Sequence, residues 1–190
     1  MILGLNYFPR GGKADTQQVS LSTNVQTALT FSITAGSTVP FGNLTPGTPI
    51  AAPATGTIAS VTTNAANGYT MGIEDDVPGN DSCLVNGGTY IADYAGTIAT
   101  PTLWSGTGLG VTLYTADTGK EAKWGTGTTY NDAKNKYAGV PQNATTAHTV
   151  TGYHSGADTS SWAFKVDVPA GQLTGSYSGS ITFTATAVLS

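Results

Sequence analysis

The sequence predicts an all-β protein: an antiparallel β-sandwich of immunoglobulin-like or jelly-roll-like, Greek-key type, carrying a long loop-rich insertion. Three observations predict it. Apolar and polar residues alternate with period two over long stretches, the pattern of a strand with one buried face. Only 9% of the 190 residues are charged, against roughly 25% in an ordinary soluble domain, and the deficit is filled by Thr, Ser, Asn and 25 Gly. Gly, Pro and Asn clusters interrupt the alternation at short intervals, as turns between many short strands do.

The elements follow in order. Val19, Leu21, Val25, Leu29, Phe31 and Ile33 share one parity with Thr23 and Thr27 between them, while Ser20, Ser22, Asn24, Gln26, Thr30, Ser32 and Thr34 share the other, broken only by Ala28. That predicts one long half-buried strand over residues 19–34, or two joined at a bend. Pro40, Gly42, Pro46, Gly47, Pro49 and Pro53 then mark a loop crossing. Residues 57–63 and 69–73 flank Asn67-Gly68, which predicts a hairpin with a type I′ turn, both of whose central residues need positive φ. A polar loop with four acidic residues spans 74–81. Strands are expected at 110–114 and 148–153, with a turn-rich excursion over 115–141 that holds Trp124, Tyr130 and Tyr137 and a short helix near 131–137. The end is regular again. Trp162, Phe164, Val166 and Val168 form one apolar row, Pro169-Ala-Gly171 turns the chain, and Tyr177, Ile181, Phe183, Ala185, Ala187 and Leu189 form the last.

Composition also excludes classes of function. A net charge of −4 with seven Lys and Arg argues against nucleic acid, because phosphate neutralisation needs a basic patch. No apolar run reaches the ~18–20 residues of a membrane-spanning helix. Cys83 is alone, so no internal disulfide forms, and a small buried hydrophobe is its expected role, with an intermolecular bridge the other. One sandwich domain is expected over 14–190, preceded by an extension over 1–13. The first eight residues lack the basic start and small-x-small cleavage site of a signal peptide. That leaves a leader already removed, or export without one.

Chemistry-bearing residues are sparse. His148, His154, Ser155 and Asp158 supply the types of a nucleophilic triad, but four polar residues in one stretch do not by themselves place base between nucleophile and orienter; no catalytic residue, cofactor or enzyme activity is assigned. Asp75, Asp76, Asn80 and Asp81 are calcium candidates, since calcium collects carboxylate and amide oxygens from a flexible loop. Asn43, Asn80 and Asn143 head N-x-Ser/Thr glycosylation triplets. Trp104 and Trp124 lie among Gly, Ser and Thr and are candidates for stacking on sugar rings.

Three stretches carry a resemblance: Phe41-Gly-Asn-Leu-Thr-Pro-Gly47; Val61-Thr-Thr-Asn-Ala-Ala-Asn-Gly-Tyr-Thr70; and Val168-Pro-Ala-Gly171 leading to Gly175-Ser-Tyr-Ser-Gly-Ser-Ile-Thr-Phe-Thr-Ala-Thr186. Together they resemble a group of secreted prokaryotic surface β-sandwich proteins that includes pilin-like filament subunits and wall-associated adhesins. The likeness covers residues 19–74 and the last thirty or so, and it implies architecture and an extracellular or cell-surface location. It is weak for activity.

One feature points to assembly. Met1, Leu3, Leu5 and Tyr7 fall on one face of an extended strand, and Gly11-Gly12 follows as a hinge. Burying such side chains is worth ~1.5–3 kcal/mol each. The strand can fold back on its own sheet or complete the sheet of a neighbour. The expected function is therefore a homopolymeric filament, pilus or surface-assembly subunit joined by strand complementation, with a host or neighbouring cell surface as a further candidate partner. An envelope-displayed adhesin or carbohydrate-binding module is the alternative, and a virion surface or tail decoration protein the third.

Overall fold

The computed structural model describes residues 17–76 and 82–189. Strands there are β1 (Leu29–Ala35), β2 (Ile50–Thr63), β3 (Tyr69–Asp75), β4 (Leu84–Asn86), β5 (Thr89–Ile91), β6 (Thr102–Leu103), β7 (Gly108–Ala116), β8 (Lys136–Gly139), β9 (Thr145–Val150), β10 (Asp158–Asp167) and β11 (Ile181–Ala187), with one 3-10 turn at Ala122–Trp124. They build a six-stranded sheet in the order β1-β2-β10-β7-β8-β6, a three-stranded sheet β11-β3-β9, and the small hairpin β4-β5. Every ladder is antiparallel. The all-β sandwich expected from the sequence is the fold, and its sheets do not close into a barrel. No helix among the described residues is long and apolar enough to cross a membrane.

The core lies between the two larger sheets. Val61, Val111, Leu113, Trp162, Phe164 and Val166 come from the six-stranded sheet, and Tyr69, Met71, Ile73, Ala147 and Val150 from the three-stranded one. Strand β3 alternates buried and half-buried residues along its whole length, as period-two patterning requires. Cys83 is buried in this cluster, the role expected of it, and burial pushes its thiol pKa up, with the Asp93 and Asp75 carboxylates adding to the effect.

Four local expectations are corrected. The long strand over 19–34 forms only from Leu29 onward; residues 17–28 carry no strand and are exposed. Patterning fixes which face of a segment is apolar, but a strand also needs a partner, and among the described residues none lies beside 17–28. Asn67-Gly68 is not a hairpin turn either. Strands β2 and β3 belong to different sheets, so the turn carries the chain from one layer to the other. Only Gly68, at φ +83°, is left-handed, and Asn67 is not. The Gly68 N–H donates to the Ala65 carbonyl at 3.2 Å, a four-residue turn with glycine last, which a type I geometry favours. The helix near 131–137 is a turn followed by β8. Asp132 Oδ1 accepts from the Lys134 N–H at 2.9 Å, and the Asn135 amide donates to the Thr129 carbonyl at 2.8 Å, local bonds that compete with a helix. Lastly, β2 begins at Ile50, inside the expected loop. Pro53 is tolerated because β2 pairs with β10 at 50–52 and again from Thr57, with the register broken between them, so its missing N–H removes no ladder bond.

Candidate functional site

The two long sides of the sandwich are built differently, and the difference locates the site. On one side lies β9, the edge of the three-stranded sheet, and the excursion after β7 covers it. Trp124 is fully buried and packs edge-on against Trp162 at 5.7 Å. Its indole N–H donates to the Ala147 carbonyl on β9 at 3.1 Å. Three residues earlier, Glu121 Oε1 accepts the Thr149 N–H at 2.8 Å, and Oε2 lies 2.9 Å from His148 Nδ1. Backbone groups of this edge are thus bonded by side chains, which blunts it against further pairing. Burial raises the Glu121 pKa, but His148 and the Thr149 N–H outweigh it and hold the carboxyl below its usual range.

Among the described residues the opposite side has no such cover. Strand β1 ends the six-stranded sheet, β11 ends the three-stranded one, and they lie next to each other. Among the described residues no strand pairs with the outer edge of either. Leu29, Phe31 and Ile33 on β1, and Ile181, Phe183 and Ala185 on β11, face the core yet stay only half-buried. Thr30, Ser32, Thr34, Thr182, Thr184 and Thr186 point outward. Neither strand carries a charge or a proline, the devices that usually keep an edge from pairing. The result is a seam between the sheets, apolar inside and hydroxyl-lined outside.

Residues 61–70 organise one end of this seam. Asn64 Oδ1 accepts the Ala28 N–H at 2.7 Å and its amide donates to the Gln26 carbonyl at 2.9 Å. The Asn67 amide donates to the Leu189 carbonyl at 3.1 Å, and the Gly68 carbonyl accepts the Val188 N–H at 2.9 Å. One turn therefore holds both the segment entering β1 and the segment leaving β11. A side chain at Gly68 would meet the Val150 carbonyl, so glycine is required there for space as well as for φ. Just before β1, Val19, Leu21 and Val25 are 82%, 92% and 83% exposed, far more than isolated surface aliphatics need be.

The residues singled out from the sequence distribute as follows. Met1, Leu3, Leu5 and Tyr7 lie outside the described residues, as do Asn80 and Asp81. Asp75 is buried at the end of β3, and Asp76 Oδ1 accepts the Ser180 N–H at 3.1 Å. No group of three metal-binding side chains is assembled among the described residues. Asn43 and Asn143 are exposed in loops. Trp124 is withdrawn from any surface role by its burial. Trp104 is half-buried, stacked on Tyr94 at 4.4 Å and set edge-on to Tyr137, with Lys165 Nζ 5.3 Å from its ring. His148 and Asp158 are buried around Tyr69, whereas Ser155 is exposed; Glu121, not Ser155, is the partner of His148 Nδ1. Sequence reading missed Glu121, whose only signal was a lone carboxylate ahead of Trp124, and it missed Asn64 and Asn67 as clamps. No protein-family model, curated protein or solved structure matches the chain.

Proposed function

We propose that the protein is the structural subunit of an extracellular filament or surface assembly, in which neighbouring copies are joined by β-strand complementation. The observation that carries this reading is the seam between β1 and β11, two uncharged strands with half-buried apolar rows and outer edges that no strand among the described residues pairs. A strand laid along such a seam gains main-chain hydrogen bonds from the edges and side-chain burial from the gap between the sheets. Head-to-tail repetition of that contact need not close, so it yields a fibre. The motif resemblance to secreted surface sandwiches and the scarcity of charge support the same reading. The glycan-binding alternative gains nothing from Trp124, which is buried.

Two stretches qualify as the inserted strand: the one expected from the sequence around Met1, Leu3, Leu5 and Tyr7, and the exposed row Val19, Leu21 and Val25. Negative-stain electron microscopy of the purified full chain tests the assembly itself. Fibres of uniform width are expected; dispersed monomers at every concentration and salt would remove the reading.

A further inference from the structure

We infer that residues 17–24 of one copy are the strand that fills the β1–β11 seam of the next, with residues 25–27 bridging the two copies, and that the donor enters from the end opposite the Ala65–Gly68 turn. The inference rests on the filament reading and goes further by naming both halves of the junction.

The two halves match in pattern. Val19, Leu21 and Val25 occupy one parity of the segment, shared with Gln17, Thr23 and Thr27, and Gln18, Ser20, Ser22, Asn24 and Gln26 take the other. A strand between β1 and β11 must turn one row inward onto Phe31, Ile33, Ile181 and Phe183, and leave the other among the outward Thr and Ser of both neighbours. The segment supplies that division, and like the seam it contains no charge. Length agrees as well. Eleven residues of strand span ~36 Å at roughly 3.3 Å each, against ~23 Å for the seven residues of β1 or β11, leaving a few to bridge the subunits.

The geometry directs the segment to another copy. Residues 17–28 contain no Gly or Pro to reverse the chain. Asn64 fixes the direction of exit by holding Gln26 and Ala28, and Val19, Leu21 and Val25 stay exposed instead of turning onto their own seam. Leu29, which opens β1, pairs with Thr63, and Ala187, which closes β11, pairs with Tyr69, so both strands meet the Ala65–Gly68 turn at one end. There the subunit's own segments 26–28 and 188–189 are bonded to Asn64, Asn67 and Gly68 and line a shallow cavity with Ala65. A neighbour's strand finds the other end free of these segments, and entry there repeats without closing.

The test compares full-length wild type with V19D/L21D. Both positions are exposed in the free chain, so its melting temperature should not change. The junction's association constant should fall by at least about a hundredfold, the least that losing two buried aliphatic side chains per junction implies, and be read as a loss of pelletable polymer. A synthetic peptide of residues 17–28 should shorten wild-type fibres, and the same peptide carrying both aspartates should not. V19D/L21D fibres as abundant as wild type would overturn the inference while leaving the filament reading intact, above all if deleting residues 1–8 abolishes them. Closed dimers in place of fibres would also overturn it. If the wild type forms no polymer, the filament reading fails, and a fluorescent 17–28 peptide then decides the seam: saturable binding to the chain upholds it, and no binding overturns it.

Discussion

The sealed side and the open side of this sandwich face the same problem, how to end a sheet, and solve it differently. At β9 the chain brings its own cover: Trp124 fills the gap down to Trp162, while Glu121 and the indole N–H bond the Thr149 amide and the Ala147 carbonyl. At β1 and β11 there is no equivalent among the described residues, and the inward rows remain half-buried. An edge that is uncharged and hydroxyl-lined, and uncovered among the described residues, lacks the usual devices against pairing that the covered edge has.

The contrast can be broken most severely from the sealed side. Trp124→Ala should cost about 3–5 kcal/mol, as truncation of buried tryptophans does, read as a lower urea midpoint. Phe183→Ala on the open side should cost the unassembled chain only about 1–2 kcal/mol, since its ring is partly hydrated already, yet it should weaken polymerisation further. Equal losses at the two sites would erase the distinction between them.

Smaller effects sharpen it. Asn64→Ala removes the clamp on Gln26 and Ala28 and should cost about 1 kcal/mol, with faster amide exchange confined to residues 24–28. Acid should act mainly on the sealed side. The Glu121 carboxyl sits below its ordinary 4.5, with His148 and Thr149 bonds outweighing burial, and Asp117 sits low because the Thr159 hydroxyl and N–H bond it. A carboxyl whose folded pKa is depressed adds stability above its unfolded pKa and loses it as pH falls through the folded one. Thermal stability should therefore decline below about pH 4.5, and Glu121→Gln should flatten that decline; an unchanged slope would show that the pair contributes nothing. Least of all, Leu21→Ala should move the stability of the unassembled chain by no more than about 0.5 kcal/mol.

Much of this architecture was legible in the sequence, because period-two rows such as Trp162, Phe164, Val166 and Ile181, Phe183, Ala185 report which face is apolar wherever a strand forms. The same signal over-reached at residues 19–28, where Val19, Leu21 and Val25 alternate with polar residues but, among the described residues, no neighbouring strand receives them. Pattern encodes an apolar face; it does not say whose sheet will bury it. Asn67-Gly68 misled for a related reason. Its composition fits a hairpin, yet its work is to change layers and to hold residues 188–189, while Asn64 just before it holds Gln26 and Ala28, contacts 36 to 122 residues apart that spacing does not reveal. Trp124 read as a surface aromatic because Gly and Thr follow it, and only the fold shows Trp162 beneath.

Hydrogen–deuterium exchange of the full chain before and after assembly tests the central claim most directly. Amides of residues 17–35 and 181–187 should gain protection together on assembly, while β9, already bonded through Glu121 and Trp124, should change little. Fibres in which those two segments exchange as freely as before, or in which new protection falls on β6 or β9 instead, would contradict the assignment of the β1–β11 seam as the place where a second copy docks.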